Sequence, residues 1–496
     1  MSPHPAFGHL LPSRRGEGYK ARVAFSPPRG EKVREARMKG ALVLALLLLL
    51  VSCREAEGVA QDPVDREAEE AFVAYLQIDT TNPPGNETKG AAYLRDLLTK
   101  DGIEAQLVGD DPKRQAVYAR LRSQSRAEKA LVLLSHIDVV PADPSLWRNP
   151  PFSGKREGGY IWGRGALDIK SLTIAQLMAF VDLKRRGVKL RRDVIFLAVP
   201  DEELGGIKGA KALLEKHPDL FDNAGFVINE GGSNETAVDK VLFWGIEVQQ
   251  KVPLWLRVTS DGSGGHGASA SAGATMKLVR ALTAIDAIES PYRLTDVVAR
   301  TAAISAAARS DGGGQRMRML REPLDIARIE KELPPGYRSL LRDTIAITSL
   351  SAGSNVNVMP SRAMAEVDIR LLPDSSSEAM LARVRQAVGE NAKVDVILAG
   401  EAAPESPSSG ELYDTLARVL RNSSPGSAVG PLMSPGTTDS RFFRARGMVA
   451  YGIAPFKVNY YDTDGVHGND ERIRSRFFAE GVGVMRKIVR DFCEMK

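Results

Sequence analysis

Hydrophobic residues from about position 65 onwards fall into two alternating patterns. Short continuous apolar runs, at 130–134, 194–199 and 226–228, have the length and composition of strands that are buried on both faces. Between them lie longer stretches with apolar residues at helical spacing, among them 174–186 and 209–216. The alternation predicts an α/β domain in which helices cover a central, mostly parallel sheet.

Near residue 247 the pattern changes. We expect a strand, a helix, two strands, a helix and a last strand, at 254–259, 274–285, 344–350, 363–371, 377–388 and 394–398. This β-α-β-β-α-β order is that of ferredoxin-like α+β domains. Residues 300–343, which are rich in Ala, Arg and Gly, are interpreted as an insertion within this second domain. Their arginines are expected to form a solvated face: Arg309, Arg316, Arg318 and Arg321.

The second domain is predicted to interrupt the first. A helix at 412–421 and a strand at 448–453 are expected to return to the α/β domain. The predicted organisation is therefore an α/β domain in two parts, 65–246 and 401–496, around an inserted domain at 247–400.

The segment before residue 65 has a different character. An unbroken apolar run at 41–51 follows a basic stretch with Lys32, Arg34, Arg37 and Lys39. It is short for a membrane-spanning helix and has the layout of a signal peptide. The run ends in Leu50-Val51-Ser52-Cys53, which resembles a bacterial lipobox, so Cys53 is expected to carry a lipid. A plain secretory signal and an N-terminal anchor helix are the alternatives.

These features predict an exported protein of the periplasm or cell envelope. Residues 1–52 are interpreted as the export signal, with translation starting at Met1 or Met38, and residues 53–64 as a tether. The only membrane contact expected is the lipid on Cys53.

The charge balance follows this division. The whole chain of 496 residues has a formal net charge of +5. Residues 1–52 contain nine Lys or Arg and three Asp or Glu residues, so the chain from Cys53 has 58 basic and 59 acidic residues and a net charge of −1. Without a basic stripe, this balance argues against a nucleic-acid partner. Two cysteines exclude a disulfide scaffold and a cysteine-based structural zinc site.

Acidic residues and histidines stand directly after three of the predicted strands. They are His136 and Asp138, Glu202 and Glu203, and Glu230. Since the carboxyl ends of parallel strands open into one crevice, these side chains are expected to meet there. Two further residues can join them: Asp168, in a glycine-rich turn before a helix, and His467, in a loop before the last helix.

Two imidazoles among so many carboxylates suit a divalent metal such as zinc. Without a cation, the acids would repel one another strongly. Taken singly, a residue such as His136 is more often a buried structural histidine, and Glu202 with Glu203 is more often a charged helix start. Together they predict a dinuclear site with one bridging carboxylate, which can hold a hydroxide and polarise a carbonyl.

Several motifs follow one another in a specific order. They are Ser-His-Ile-Asp-Val-Val-Pro (135–141), Pro-Pro-Phe-Ser-Gly (150–154), Trp-Gly-Arg-Gly-Ala-Leu-Asp-Ile-Lys (162–170), Asp-Glu-Glu-Leu-Gly-Gly (201–206), Asn-Glu-Gly-Gly (229–232), Gly-Gly-His-Gly (264–267) and Gly-Val-His-Gly (465–468). Over about residues 65–490 the chain resembles the dinuclear-zinc aminoacylase/carboxypeptidase family, which includes carboxypeptidase S, aminoacylase-1, acetylornithine deacetylase and succinyl-diaminopimelate desuccinylase. The motif sequences are most similar to those of the carboxypeptidase S branch. The resemblance implies a zinc-exopeptidase-like domain with an inserted lid or dimerisation domain.

The resemblance also implies a metal-ligand set. His136, Asp168 and Glu230 would hold one zinc ion, and Asp168, Glu203 and His467 the other, with Asp168 as the bridge. Co²⁺ or Mn²⁺ could replace zinc. The peptide bond after Asp168 is often cis in the family. Asp138 would orient His136 by accepting its other ring N–H.

Roles in catalysis follow from the same resemblance. Glu202 would be the general base, which takes a proton from the metal-bridging water and hands it to the leaving amine. His266 would stabilise the oxyanion, and in dimeric relatives this histidine comes from the partner subunit. The motif Gly-His-Gly-Ala (265–268) departs from the usual family pattern but keeps the histidine.

Substrate recognition is implied at fewer positions. Arg370 and Asn355 match family positions that face the substrate, with Asn357 as the alternative to Asn355. Arginine suits bidentate carboxylate capture, although a plain surface arginine is the other interpretation of Arg370. Residues 436–441 resemble a family loop near the substrate. The insertion at 300–343 is expected to alter the domain that shapes the specificity pocket.

The sequence therefore predicts a metal-dependent hydrolase that cleaves an amide bond beside a free carboxylate, in a small peptide, as a monomer or homodimer. The alternative is a deacylase of N-acyl amino acids. A binding lipoprotein on an inactive scaffold is a more remote alternative, because no expected ligand or base is missing. The sequence leaves the acyl group and the preferred side chain open.

Overall fold

The computed structural model describes residues 63–124, 127–237, 239–269, 273–458, 463 and 465–495. The predicted export signal and most of the predicted tether, with Met38 and Cys53, lie outside these residues. Within the described ranges, every helix is too short or too polar to cross a membrane.

The described residues alternate between strands and helices. The strands are β1 (Ala105–Val108), β2 (Ala116–Leu121), β3 (Glu128–His136), β4 (Lys155–Glu157), β5 (Tyr160–Trp162), β6 (Arg192–Val199), β7 (Ala224–Asn229), β8 (Ser233–Ala237), β9 (Lys240–Gln250), β10 (Val252–Asp261), β11 (Gly265–His266), β12 (Thr344–Ala352), β13 (Val358–Met359), β14 (Arg362–Leu371), β15 (Lys393–Ala399), β16 (Ala428–Ser434), β17 (Val449–Gly452) and β18 (Arg472–Arg474). The helices are α1 (Pro63–Leu76), α2 (Thr88–Lys100), α3 (Lys170–Arg185), α4 (Ala212–Lys216), α5 (Ala274–Asp286), α6 (Asp296–Ala308), α7 (Gly312–Met317), α8 (Ile326–Glu332), α9 (Pro335–Arg338), α10 (Ser377–Val388), α11 (Glu411–Ser423), α12 (Ser440–Arg444) and α13 (Ser475–Cys493).

The large sheet has the strand order β1-β2-β6-β3-β7-β17-β9-β16, with β8 paired to β9. Its centre, β6-β3-β7-β17, is parallel as predicted. Strands β1, β2 and β9 run antiparallel to a neighbour, so the sheet as a whole is mixed. Strand β16 was not predicted, although it pairs in parallel with β9 at one edge.

Both faces of the central strands are covered, which explains their continuous apolar runs. Leu133 of β3 belongs to the core cluster that contains Phe180 of α3, on one face. Its neighbour Leu134 belongs to the cluster that contains Phe443 of α12, on the other face. Successive side chains of a strand point in opposite directions, so each apolar residue of the run is buried on one face or the other.

The small sheet confirms the predicted ferredoxin-like topology. Its strand order is β12-β14-β10-β15, and all its pairs are antiparallel. Helices α5 and α10 contribute Leu278 and Val384 to a core cluster that also holds Leu254 and Ile369 of the sheet. This cluster is separate from those of the large sheet.

The chain passes from the large sheet to the small one at Lys251, a few residues beyond the predicted change at 247, because β9 runs on to Gln250. The ammonium group of Lys251 is buried. It donates to the carbonyls of Ser339 and Arg342, at 3.1 and 2.9 Å, and to the hydroxyl of Thr344 at 3.1 Å. These bonds hold Lys251, where the chain leaves the large sheet, beside residues 339–344, where the chain enters β12 of the small sheet.

Residues 300–343 do not enlarge the small domain, contrary to the sequence-based expectation. Helix α6 packs against β16 of the large sheet, where the hydroxyl of Thr301 donates to the carbonyl of Pro431 at 2.6 Å. Its apolar residues Val297 and Ala302 belong to the core of the large sheet. The segment is therefore a helical cover for the edge of the large sheet and not a part of the inserted domain.

The sequence predicted that the arginines of this segment share one solvated face, and the structure contradicts this prediction. Arg309 has a side chain that is only 9% exposed and pairs with Glu235 and Asp311. Arg318 and Arg321 are exposed, and Arg316 is partly buried. Because a buried guanidinium needs carboxylate partners, Arg309 ties the insertion to β8.

The central position of β3 leads to a stability prediction. Leu133 is fully buried, so Leu133→Ala is expected to lower the free energy of unfolding by about 2–5 kcal/mol, the cost of a large-to-small change in a core. Leu146→Ala, the same change at a side chain that is 61% exposed, is expected to have an effect within about 0.5 kcal/mol. Urea unfolding followed by circular dichroism measures both. Equal losses would contradict the central position of β3.

Candidate metal centre

Three parallel strands deliver the predicted site residues to one edge of the large sheet. His136 is the last residue of β3, Glu202 and Glu203 follow β6, and Glu230 follows β7. Strand β3 lies between the other two, with His136 opposite Val199 at the end of β6. The strand ends therefore converge as the apolar runs predicted.

The carboxylate of Asp168 lies between two imidazoles. Its Oδ1 is 3.1 Å from Nε2 of His136, and its Oδ2 is 3.2 Å from Nε2 of His467. Nε2 of His467 is also 3.1 Å from Oε2 of Glu203, and Nε2 of His136 is 3.7 Å from Oε1 of Glu230. The structure thus brings all five predicted metal ligands together, with Asp168 between the two imidazoles.

Two overlapping groups of side chains have the spacing that a metal ion requires. One consists of His136, Asp168 and Glu203, and the other of His136, Glu202 and Glu230, with ligand atoms within 4.8 Å of one another. The second group includes Glu202, which the sequence analysis treats as a base and not as a ligand. Geometry alone permits either role for Glu202.

The electrostatics of the site favour a bound cation. Burial and the neighbouring carboxylates raise the pKa of Glu202 and Glu230 well above the usual range, and raise that of Glu203. Hydrogen bonds to Asp168 and Glu203 raise the pKa of His467 to about 10. Oε1 of Glu203 is buried and has no hydrogen-bond partner in the described part of the chain. A cluster of imidazole and carboxylate donors with an unsatisfied buried oxygen fits a pair of divalent metal ions.

Asp138 supports the site in a different way from the one expected. Nδ1 of His136 is 2.9 Å from the backbone carbonyl of Asp138, whereas the Asp138 carboxylate is 3.6 Å away. That carboxylate accepts hydrogen bonds from the backbone N–H of Glu202 and Glu203, both at 3.1 Å, and from the Asn82 side chain at 2.9 Å. Because Asp138 is fully buried, its charge needs several donors, which come from the turn after β6 and from Asn82.

The turn after β6 is also held from a second direction. Asp201 has a φ of 75°, in the left-handed region, and its carboxylate accepts a hydrogen bond from the guanidinium of Arg114 at 2.6 Å. Arg114 also donates to Glu87 at 3.0 Å, and all three side chains are buried. Sequence reasoning missed Arg114 and Asn82. The position of Asn82 in the polar loop after α1 could have indicated a role for it, whereas the sequence around Arg114 gives no such indication.

The peptide bond between Asp168 and Ile169 is cis, as the family resemblance implied. Asp168 lies two residues before Lys170, the first residue of α3, with Ile169 between them.

A cavity of about 260 Å³ opens over these residues, between the large and the small sheet. The acids and His467 line one side of it, and Pro253, Trp255 and Leu398 of the small domain line the other. Arg370 also lines the cavity, where it donates to Thr437 at 2.9 Å and lies 5.5 Å from the centre of the Trp255 ring. The predicted substrate-facing arginine is therefore close to the metal centre.

The loop at 436–441 contributes two charged residues that the sequence analysis did not single out. Arg441 lines the cavity and donates to the carbonyl of Gly205 at 2.6 Å. Asp439 is buried, and its carboxylate oxygens have no hydrogen-bond partner among the described residues. Burial raises the pKa of Asp439 to about 7. A Cβ on Gly206 would lie 2.0 Å from Oδ1 of Asp439, so the glycine at 206 makes this approach possible.

His266 and Asn355 are not brought to the cavity. His266 is exposed on β11, paired with Val358 of β13, and its Nδ1 accepts the backbone N–H of Ala268 at 3.1 Å. Asn355 is exposed in the loop before β13. The backbone carbonyl of Asn357 accepts a hydrogen bond from the backbone N–H of Gly267 at 2.8 Å. Neither His266 nor the two asparagines belong to the described lining of the cavity. Within one chain they form a separate exposed group on the small domain.

Comparisons with known proteins agree with this geometry. Residues 132–491 match the model of peptidase family M20/M25/M40. The N-fatty-acyl-amino acid synthase/hydrolase PM20D1 of Xenopus tropicalis is 30% identical over 69% of this chain and 68% of its own length. Aminoacylase-1 of Sus scrofa is 26% identical over 84% of this chain and 93% of its own length.

A solved structure extends the similarity to the fold. The M20 family metallo-carboxypeptidase Sso-CP2 of Sulfolobus solfataricus superposes with a TM-score of 0.67 at 20% identity, over 86% of this chain and 98% of that chain. The family resemblance drawn from the motifs is thereby confirmed: the chain belongs to peptidase family M20/M25/M40, a family of metal-dependent hydrolases.

Proposed function

We propose that this protein hydrolyses an amide bond beside a free carboxylate, with two zinc ions at the described centre. The observation that carries the proposal is the position of Asp168, whose two oxygens lie 3.1 and 3.2 Å from the imidazoles of His136 and His467. The same cavity contains Glu202 and Arg370, so a base and a cationic group for the substrate lie next to the metal ligands.

The proposed ligands divide into two sets that share Asp168. His136 and Glu230 complete one set, and Glu203 and His467 complete the other. Bound zinc supplies charge that polarises the scissile carbonyl and activates water. The side chain of His467 is 55% exposed and that of His136 is 1% exposed, so the second set is the one that faces the opening of the cavity.

Glu202 is the proposed general base. Its carboxylate accepts a proton from the attacking water as the oxygen of that water bonds to the carbonyl carbon. The same carboxyl group then gives the proton to the amine nitrogen as the carbon–nitrogen bond breaks. Burial and the neighbouring carboxylate of Glu230 raise the pKa of Glu202 well above the usual range, and bound divalent cations would counter this shift so that the carboxylate is free to accept the proton.

Arg370 is the proposed partner of the substrate carboxylate. It is partly buried, and its bonds to Asp368 and Thr437 hold the guanidinium at the cavity wall. His266 and Asn355 keep their predicted roles as oxyanion donor and substrate contact. Because both are exposed outside the cavity, they would act after closure of the small domain or from a second copy of the chain.

A second candidate substrate class is N-acyl amino acids. Trp255, Pro253 and Leu398 form an apolar wall opposite the acids, and an acyl chain would bury its methylene groups against such a wall. Two of the relatives are named for N-acyl amino acids, as a fatty-acyl-amino acid hydrolase and as an aminoacylase. Both candidates share the reaction at the amide bond and differ in the group on its acyl side.

Export and lipid attachment are proposed from the sequence alone. The apolar run at 41–51 and Cys53 support a lipoprotein of the periplasm or cell envelope.

Substitution of the proposed base tests the mechanism. Glu202→Gln is expected to lower kcat by at least about 100-fold, because the amide cannot accept a proton, while two zinc ions stay bound per chain. Glu480→Gln, the same change at an exposed residue of α13, is the control and is expected to keep full activity. Hydrolysis rates and metal content by mass spectrometry are measured together. Full activity in Glu202→Gln with metal bound would refute the mechanism, and loss of zinc would make Glu202 a ligand.

Substrates with and without a free carboxylate test the role of Arg370. Arg370→Lys is expected to raise KM by about tenfold or more for N-acyl amino acids and dipeptides, because a bidentate, charge-assisted contact is lost. Amidated analogues are expected to show no such change. Arg362→Lys, at an exposed position of the same strand, is the matched control. An equal rise in KM for substrates with and without a free carboxylate would count against carboxylate recognition by Arg370. The wild-type rates on N-acyl amino acids and on dipeptides decide between the two candidate substrate classes.

Replacement of Cys53 tests the lipid anchor. In a bacterial host supplied with an alkyne-bearing fatty acid, Cys53→Ala is expected to abolish labelling and to move the protein from the membrane to the soluble fraction. Cys493→Ala, at a buried thiol in α13, is the control that is expected to keep the label. Labelled, membrane-bound Cys53→Ala protein would rule out attachment at Cys53.

A further inference from the structure

A buried ion pair lies directly behind the metal centre and has no role in the proposed function. Arg164 precedes Asp168 in the glycine-rich turn, and Glu471 follows His467 in the loop before β18. Nη1 of Arg164 donates to Oε2 of Glu471 at 2.7 Å, and the two side chains are 2% and 0% exposed. The pair therefore joins the segments that carry Asp168 and His467.

Glu471 organises the backbone that leads to Asp168. Its Oε2 accepts the N–H of Gly165 at 2.9 Å in addition to the Arg164 guanidinium. Its Oε1 accepts the N–H of Leu167 at 2.7 Å and the N–H of Asp168 at 3.0 Å. Each carboxylate oxygen thus has two donors, which fixes the turn immediately before the bridging carboxylate.

Arg164 holds the loop of His467 from the other end of the pair. Its guanidinium donates to the carbonyl of Gly465 at 3.3 Å and to that of Gly468 at 2.6 Å, on both sides of the histidine. His467 itself has a φ of 56°, in the left-handed region that residues other than glycine seldom adopt. A loop in this conformation needs external contacts to keep its shape, and Arg164 provides two of them.

We propose that Glu471 is a positioning residue, which sets the position of Asp168 relative to His467 through Arg164 and so determines metal affinity at the site that uses both. The inference rests on the metal centre of the proposed function. Residues that orient metal ligands from outside commonly change metal affinity by about 10–100-fold when they are replaced. His136 and Glu230 stand at the end of β3 and just after β7, and no described hydrogen bond or ion pair joins them to Arg164 or Glu471. The site that they form with Asp168 therefore depends on the pair through one ligand, whereas the site of Asp168 and His467 depends on it through two.

A purely structural role for the pair makes a different prediction. Loss of a buried partner would then lower the melting temperature of the metal-free protein and leave the intrinsic affinity for zinc unchanged. Affinity and metal-free stability therefore have to be measured on the same variant.

The experiment is a zinc titration of the full chain from Cys53 in competition with a chromophoric chelator. Glu471→Gln keeps the size of the side chain but places an amide N–H₂ among N–H donors. The expected result is two binding steps, one close to the wild-type affinity and one weakened by about 10–100-fold. Glu480→Gln is the control, since Glu480 is exposed in the same C-terminal part and pairs only with Lys457 among the contacts described.

Several outcomes would overturn the inference. Wild-type affinity at both sites in Glu471→Gln refutes the positioning role of Glu471 and leaves the proposed function intact. An equal loss of affinity at both sites does the same. Wild-type protein that binds no divalent metal refutes both proposals. If Glu471→Gln does not fold, Arg164→Lys decides, because one ammonium group cannot replace the two guanidinium nitrogens that reach Glu471 and both carbonyls. Arg164→Lys is expected to weaken the same site, and unchanged affinity refutes the positioning role.

Discussion

Repulsion among buried carboxylates is the constraint on which the rest of this structure depends. Asp168, Glu202, Glu203 and Glu230 converge on one crevice, and burial makes their negative charges costly. The protein offsets part of this cost with fixed donors. Backbone N–H groups and guanidinium groups surround the carboxylates of Asp138, Asp201 and Glu471, which lie just behind the crevice. Among the described residues, no backbone N–H or guanidinium donates to the acids that face the cavity, so the two imidazoles and the metal ions that the site fits would compensate their charge.

The sequence predicted those features of the site that depend on the order of residues within one short segment. A buried strand that ends in His136 can be recognised without its partners, and so can the strands before Glu202 and Glu230. Parallel pairing then brings the three ends together, because the ends of neighbouring parallel strands share one edge. The ferredoxin-like order of the small domain was likewise readable from the succession of its elements.

Long-range partnerships could not be read in the same way. Arg164 and Glu471 are separated by 307 positions, and Arg114 lies 87 positions from Asp201. An arginine in a loop gives no local sign that it will be buried against an acid so far along the chain. For the same reason the sequence does not show which domain residues 300–343 cover: an alanine-rich helix such as α6 fits several apolar surfaces, and only its packing on β16 identifies the one it covers. The use of the Asp138 carbonyl, in place of its carboxylate, is a backbone detail that no residue type reveals.

The cavity joins two independently packed units. Its acids stand on the large sheet, whereas Trp255 and Leu398 stand on the small sheet with its own core. Substitutions in the small core can therefore reshape one wall of the cavity while the acids on the large sheet keep their hydrogen bonds. Under the proposed function, evolution could therefore change the acyl group that fits beside Leu398 while the residues that would hold the metal ions stay unchanged on the large sheet.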